Sequence, residues 1–314
     1  MSSDQKGILL IVFGMLIFSI QDALIKELAT TASLIQIFVT RGIIGLILLF
    51  TFLKLSKLPI SIGSKNPLIA LIRGLLFPIS FLSFYLAMAA IPIAEASALF
   101  FVSPLFMTIL SRIILKNKVG IHRLFAIVVG FVGIILIIKP EFSNFNWVMI
   151  LPIFCAFCYS LSMILTVLTK ESDSAYQQTA HVYIGSIVVG ISVYFFFGHY
   201  HDDYLNNPSI SYLLREWNFE NGAILTKMLI ISVFGTLGII CLMRAYRVGE
   251  PSVISPFEYS MIIYALASGY FIFEERLDYY SLLGIILITL SGFYIFLRER
   301  PRKNQIVTRT SLRK

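Results

Sequence analysis

Apolar residues run along this chain in unbroken stretches of about 20, separated by short polar breaks, and they do not alternate with polar ones. The stretches fall roughly at 7–27, 34–53, 67–89, 93–114 and 122–139, then again at 147–168, 177–198, 227–246, 252–273 and 280–297. The breaks carry turn and charge signals, as in Lys54 to Lys65 with Pro59 and Gly63, Lys116 to Gly120, and Lys139-Pro140-Glu141. A backbone in lipid must satisfy its own hydrogen bonds, so continuous runs of this length predict helices, whereas barrel strands would alternate. The pattern therefore predicts an all-α polytopic membrane protein with ten transmembrane helices, most of them antiparallel to their neighbours. The first stretch is long, lacks an Ala-x-Ala-like cleavage site and resembles the others, so it reads as a retained span and not a signal peptide.

Composition agrees with that reading. The chain is 58% hydrophobic and 13% charged, where a soluble domain carries about 25% charged residues. Its net charge of +8 follows the topology. With both termini on one side, that side gathers Lys6, Lys54, Lys57, Lys65, Arg112, Lys116, Lys118, Arg123, Lys170, Arg244, Arg247 and a basic tail over 299–314. The other side holds Lys26, Lys139, Arg215, Lys227 and Arg276. The positive-inside rule then predicts cytoplasmic N- and C-termini in the inner (plasma) membrane. The tail would lie against anionic lipid; it has no interleaved aromatic residues for base stacking, and nucleic acid is not an expected partner.

Residues 1–140 and 141–298 read as two copies of a five-helix unit. Leu115-Lys116-Asn117-Lys118-Val119-Gly120 leads into a helix with Gly130 and Gly133, and Phe273-Glu274-Glu275-Arg276-Leu277-Asp278 leads into Gly284 and Gly292. Phe18-Ser19-Ile20-Gln21-Asp22 parallels Cys158-Tyr159-Ser160-Leu161-Ser162, and the same register sets His181 opposite Arg41. An odd number of helices inverts the second copy. Inverted repeats place a cavity at their interface near the bilayer midplane, exposed to alternate sides as one half rocks on the other.

The chain resembles the drug/metabolite transporter superfamily, and within it the EamA-type proteins, over residues 7–298. The resemblance rests on Ala94-Glu95-Ala96-Ser97-Ala98 with Ser103-Pro104-Leu105-Phe106, on Arg73-Gly74, and on Gly249-Glu250-Pro251-Ser252-Val253 with Pro256-Phe257-Glu258-Tyr259. Glu274-Glu275-Arg276 fits the family's Gly-Glu-Arg turn with Glu in place of Gly, and the first half has Lys116-Asn117-Lys118 instead. The resemblance implies metabolite transport by alternating access in a bundle lined by the first, third, fourth, sixth, eighth and ninth helices. It does not fix the cargo.

Ionisable groups inside spans are costly, about 2.5–3.5 kcal/mol near a helix centre, and so tend to face a cavity or a partner. Gln21 and Asp22 lie in the outer third of the first span, and Arg41 reaches a similar depth in the second. Asp22–Arg41 reads as an ion pair, either structural or an outer gate or coupling site, with Lys26 as a competitor. Arg73 and Glu258 lie on the cytoplasmic side of the third and ninth spans. Glu258 reads as a substrate or proton-coupling group or as a structural partner of Arg73 or Arg244. Tyr259 stands beside it. Phe100, Phe101 and Tyr159 lie mid-span on helices the family uses, with Tyr85 and Tyr264 as further aromatic candidates. Glu95 and Glu250 lie near helix starts, where a carboxylate stabilises the dipole.

Other signals carry less. Cys155-x-x-Cys158 lies in an apolar helix without polar ligands nearby, and Cys241 is a lone thiol. His199, His201, Asp202 and Asp203 read as a solvated helix end, so no metal or cofactor is expected. Tyr212 to Trp217 reads as a short interfacial helix with both rings as anchors. Paired glycines, Gly42/Gly45, Gly185/Gly190 and Gly235/Gly238, read as packing sites. No His-Glu-x-x-His, Gly-x-Ser-x-Gly or P-loop is present, which argues against an enzyme and against ATP-driven transport. The expectation is a secondary transporter of a small polar organic metabolite, an amino acid or related zwitterion first. The alternatives are a riboflavin-, nucleoside- or S-adenosylmethionine-like solute, or a membrane interaction protein that transports nothing. Protons or a counter-substrate are the expected coupling partners, and a monomer or homodimer the expected assembly.

Overall fold

A computed structural model of the chain describes residues 3–116, 121–138, 146–197, 208–249, 254, 257–258 and 260–299. All regular structure among them is helical: α1 (Ser3–Leu28), α2 (Leu34–Leu55), α3 (Pro67–Met88), α4 (Ile93–Phe100), α5 (Ser103–Ile114), α6 (Ile121–Ile138), α7 (Ile150–Leu168), α8 (Ala175–Phe197), α9 (Pro208–Leu214), α10 (Gly222–Val248), α11 (Ser260–Phe273) and α12 (Tyr279–Glu299). Seven segments are long and apolar enough to cross a membrane, counting α4 and α5 together as one over Ile93–Ile114. Shorter apolar stretches lie at Val128–Ile137, Ser260–Phe273 and Tyr279–Ser291. Large apolar side chains such as Phe13, Ile47, Phe195 and Phe271 stand on the outside, as a lipid-facing surface requires. The chain is an integral membrane protein.

Polar punctuation starts the helices where the sequence suggests. Ser33 caps α2 by accepting from Gln36 N, and Asn221 caps α10 by accepting from Ala223 N and Ile224 N. Proline opens α3, where a missing N–H costs nothing. The expected single helix over 93–114 is instead two, α4 and α5, broken at Phe101-Val102. Pro104 explains the break, since it lacks the N–H that would bond Phe100 O and its ring would strike that carbonyl.

The helices of the two halves interleave. α1 packs on α10, α3 on α7 and α8, α2 on α8 and α10, α6 on α12, α5 on α7, and α1 on α11. Two of these crossings bring backbones together. A Cβ on Gly185 would drive into the Gly74 carbonyl oxygen, and a Cβ on Gly133 would sit 2.8 Å from Gly284 O. Gly45 and Gly238 instead make room for the rings of Tyr183 and Phe18.

The short helix expected after α8 is present as α9, but Tyr212 does not anchor it in lipid. Tyr212 is buried, its hydroxyl donating to Ile25 O at 3.3 Å. Arg215 donates to Ala29 O at 3.0 Å, and Gln36 and Asn218 exchange two hydrogen bonds at 2.8 and 3.0 Å. The segment is a strap across the α1–α2 turn. Its side chains satisfy carbonyls at the end of α1, and its backbone pairs with Gln36 of α2. Trp217 packs against Tyr194 with the rings tilted by 49° and centroids 5.1 Å apart.

Candidate functional site: two carboxylates around an aromatic chamber

Asp22 is buried deep in α1, and its Oδ1 accepts from the Tyr85 hydroxyl at 2.8 Å and from Gln21 Nε2 at 3.3 Å. Gln21 Nε2 also donates to the Tyr85 oxygen at 2.9 Å, closing a three-membered network between α1 and α3. Arg41 is buried beside it, its charge acting on Asp22, but the carboxylate is held by Tyr85 and Gln21, and the expected Asp22–Arg41 salt bridge does not form. Tyr85 and Gln21 occupy Oδ1, and Arg41 acts on the Tyr85 hydroxyl that stands between. Gly235 keeps this corner open, because a Cβ there would lie 2.6 Å from Gln21 Oε1 and 2.7 Å from Arg41 Nε.

Glu258 is fully buried near the other level of the bundle. Tyr159 donates to its Oε1 at 2.9 Å, and the Tyr246 hydroxyl makes a short hydrogen bond to the same oxygen. Neither Arg73 nor Arg244 partners it, contrary to the pairing considered from sequence; Arg244 is exposed. Two tyrosines of α7 and α10 solvate the carboxylate in a place too dry for an unpaired charge to be cheap. Tyr259, expected beside it, lies outside the described residues.

An unbroken run of rings joins the two carboxylates. Tyr85 meets Phe84 at 5.6 Å between centroids, Phe84 meets Phe100 at 5.7 Å, and Phe100 meets Tyr159 at 5.2 Å. Phe18, Phe81, Phe84, Phe100 and Tyr159 enclose a small chamber together with Met15 and Met261. It is closed down to about 10 Å³, roughly one water-sized sphere. Phe101 is buried against Phe100 at the α4–α5 break and does not line the chamber.

Each end of the bundle is tied separately. At one end Arg73, fully buried, donates to Thr169 Oγ1 at 2.5 Å, to Asp173 Oδ2 at 3.3 Å and to His181 Nδ1 at 2.7 Å. A guanidinium only donates, so His181 Nδ1 accepts and Nε2 carries the hydrogen toward Ile62 O, 2.7 Å away. His181 therefore stands on Arg73. At the other end Lys26 Nζ pairs with Glu275 Oε1 at 2.5 Å, while Glu275 Oε2 accepts from Ile93 N at 3.0 Å. Lys26 thus serves α11 and α4, not Asp22. Glu95 opens α4, as expected of a carboxylate at a helix start, and accepts from Ser281 Oγ at 2.8 Å.

Among the described residues no group of His, Cys, Asp and Glu is arranged to hold a metal; His199, His201, Asp202, Asp203 and Glu250 lie outside them. Cys155, Cys158 and Cys241 are free thiols. Sequence reasoning missed Tyr246, Phe81, Phe84, Thr169 and Asp173 as parts of these clusters. The one usable signal was Asp173 itself, an acid in a short turn at the same depth as Arg73.

Against this geometry, the family model for EamA-like transporters matches residues 5–139 and 146–298. The chain belongs to the EamA-like transporter family. Among curated members it is similar to a pseudopaline exporter of Pseudomonas aeruginosa, 23% identical over 91% of this chain and 94% of that one. It is also similar to an S-adenosylmethionine uptake transporter of Rickettsia prowazekii, 21% identical over 94% of each. A riboflavin transporter of Vibrio cholerae is 27% identical over 65% of this chain and 63% of its own. A solved crystal structure superposes with a TM-score of 0.67 at 12% identity, covering 94% of this chain and 98% of its own, and so shares the fold. As a member of this family, and like these relatives in being built to carry solute, the chain is a small-metabolite transporter.

Proposed function

We propose that the chain is a secondary transporter of ten spans, in two inverted five-helix repeats, that carries a small organic metabolite across the inner membrane by alternating access. The observation that carries this reading is a closed chamber between two buried carboxylate–tyrosine clusters, with a separate polar tie beyond each cluster. A carrier that opens to one side at a time needs a central site and two independent closures. Helix packing supports the repeat. Exchanging α1 with α7, α2 with α8, α3 with α10, α5 with α11 and α6 with α12 turns the α1–α10 pairing into α3–α7 and the α3–α8 pairing into α2–α10. It likewise turns α5–α7 into α1–α11.

In this cycle the Lys26–Glu275 tie closes the outer side and the Arg73–Asp173–His181 cluster the cytoplasmic side, with both termini cytoplasmic. Relatives whose printed cargoes are exported and taken up leave direction to the gradients. The sequence carries no P-loop, so in this reading protons, another ion or a counter-substrate drive the cycle. The transport test is Glu258→Gln in proteoliposomes. Gln keeps an acceptor for the two tyrosines but loses the charge, so the variant should insert and fold, with transport reduced at least tenfold if removing one charged hydrogen bond costs about 1.5–3 kcal/mol. Unchanged transport across a range of pH would remove Glu258 from the mechanism.

A further inference from the structure

We propose that His181 is a proton-binding latch: its ring holds Arg73 only while neutral, and a proton taken up there releases the cytoplasmic-side closure. This rests on the transport reading above and names what controls one of its two closures.

The hydrogen bonds allow the ring one protonation state. Nδ1 lies 2.7 Å from Arg73 Nη2, and Nε2 lies 2.7 Å from Ile62 O. A guanidinium has only hydrogens to give and a carbonyl only lone pairs, so the ring accepts at one nitrogen and donates at the other. An imidazolium carries hydrogens on both nitrogens. It would lose the bond to Arg73 and set a second positive charge against the guanidinium. Its bond to Ile62 O would survive, so the link that breaks is the one between α8 and α3.

The ring is also where two parts of the closure meet. On one side Arg73 holds Thr169 and Asp173. On the other, the segment 61–66 is held by Gln177 Nε2, which donates to Ser61 Oγ and Gly63 O at 3.1 and 2.8 Å, and by Ser64 Oγ, which donates to Asp173. The side chains of Arg73 and Asp173 are wholly buried. His181 is only half-buried and lines an open groove of about 350 Å³ with Ile62, Ser64, Pro67 and Leu71. It is the member of the cluster that solvent protons reach.

Among the described residues no carboxylate is bonded to the ring to hold a proton there. Arg73 is the one charged residue of α3, and Tyr85 of that helix is bonded to Asp22. On α2, Arg41 lies beside Asp22 and Lys54 is exposed. On α10, Arg247 donates to Asp173 O, Arg244 is exposed, Lys227 pairs with Glu27, Tyr246 bonds Glu258 and Cys241 faces Gly14. Lys57, Lys65, Lys170 and Glu171 of the adjoining segments are exposed. On α8 itself Tyr176 packs on Phe52 and Tyr183 donates to Thr236.

The experiment is hydrogen–deuterium exchange of the purified full chain in lipid nanodiscs, read at amides 61–70 and 169–181 and, at the other end, 26–33 and 269–277. Rates are normalised to the intrinsic rate at each pH. A solvated imidazole takes up its proton near about pH 6.5, so a closure that excludes the proton should open about tenfold more often at about pH 5.5 than at about pH 8. The expected result is that acceleration at 61–70 and 169–181 in the wild type, with the other end unchanged. His181→Gln, whose amide accepts from Arg73 and donates to Ile62 O at either pH, should stay slow throughout. His181→Lys, charged at both, should exchange fast at both, and it tests the latch independently should the Gln variant not fold. Glu171→Gln should keep the wild-type response. Glu258 is present in every variant, so a response lost with His181 is not its own. No acceleration in the wild type, a wild-type response in His181→Gln or His181→Lys, or its loss in Glu171→Gln overturns the proposal and leaves the transport reading intact. Acceleration of both ends together that His181→Gln abolishes upholds the latch and sinks alternating access, which needs the other end to stay closed.

Discussion

At the scale of single residues, lipid made the two carboxylates conspicuous and hid their partners. Asp22 and Glu258 stand out in any reading of the chain because an acid within an apolar span is expensive. Their partners are tyrosines, of which the sequence has 15, and nothing in a linear pattern says that Tyr85 and Tyr246 are the ones bonded. The arginines nearby were the natural guess and the wrong one. The consequence can be tested by exchange: Asp22→Arg with Arg41→Asp should fail to rescue what each single change loses, because Tyr85 and Gln21 stay in α3 and α1 while the carboxylate moves to α2. Recovery to wild-type transport in the double variant would show a reciprocal pair after all. A second residue-scale feature sits at the ends of α5 and α11, where Lys116 and Glu274 adopt φ of 57° and 54°. These are left-handed positions, and the second is where the family's turn carries Gly. Glu274→Gly should raise stability by roughly 0.5–1 kcal/mol by relieving Cβ strain, read as a higher unfolding temperature in detergent.

At the scale of elements, the spans were legible and their interruptions only partly so. Continuous apolar runs have one solution in lipid, so the stretches over 34–53 and 67–89 became α2 and α3 within a residue or two. The break within 93–114 was written in Pro104, but a hydropathy pattern averages over a proline and does not see it. The segment at 208–221 misled for a different reason. Amphipathic composition looks alike whether the apolar side meets lipid or a neighbouring turn, and Tyr212 met Ile25. Close crossings make the sharpest element-scale prediction. Gly185→Ala should cost about 1–3 kcal/mol, the range for forcing an extra carbon into packed space, because the Gly74 backbone opposite cannot swing aside as a side chain can. Reduced unfolding temperature in detergent is the readout, and an unchanged value would mean that α3 and α8 are not pressed together there. Gly63→Ala, with nothing within 4 Å of the added carbon, is the matched control.

For the whole molecule, the two ties should be separable. Lys26→Glu breaks the pair with Glu275 and sets two carboxylates together at one end, without touching the Arg73 cluster. It should shift the resting population toward the state open at that end, read as faster labelling of a cysteine placed at Phe100 by a membrane-impermeant thiol reagent added from outside. Lys26→Glu with Glu275→Lys should restore the slow rate. If the single variant labels no faster, the pair does not hold that end closed.

Arg73 has a consequence in time as well as in space. Its guanidinium is wholly buried, and all three of its side-chain partners, Thr169, Asp173 and His181, come from the latter part of the chain. While the ribosome has delivered only the earlier helices, this cation is already committed to the bilayer with nothing to neutralise it. Assembly therefore waits for α7 and α8, and an incomplete chain presents a buried charge that quality-control proteases sensitive to polar groups in lipid have reason to find. In this respect the earlier helices are obligate to the later ones.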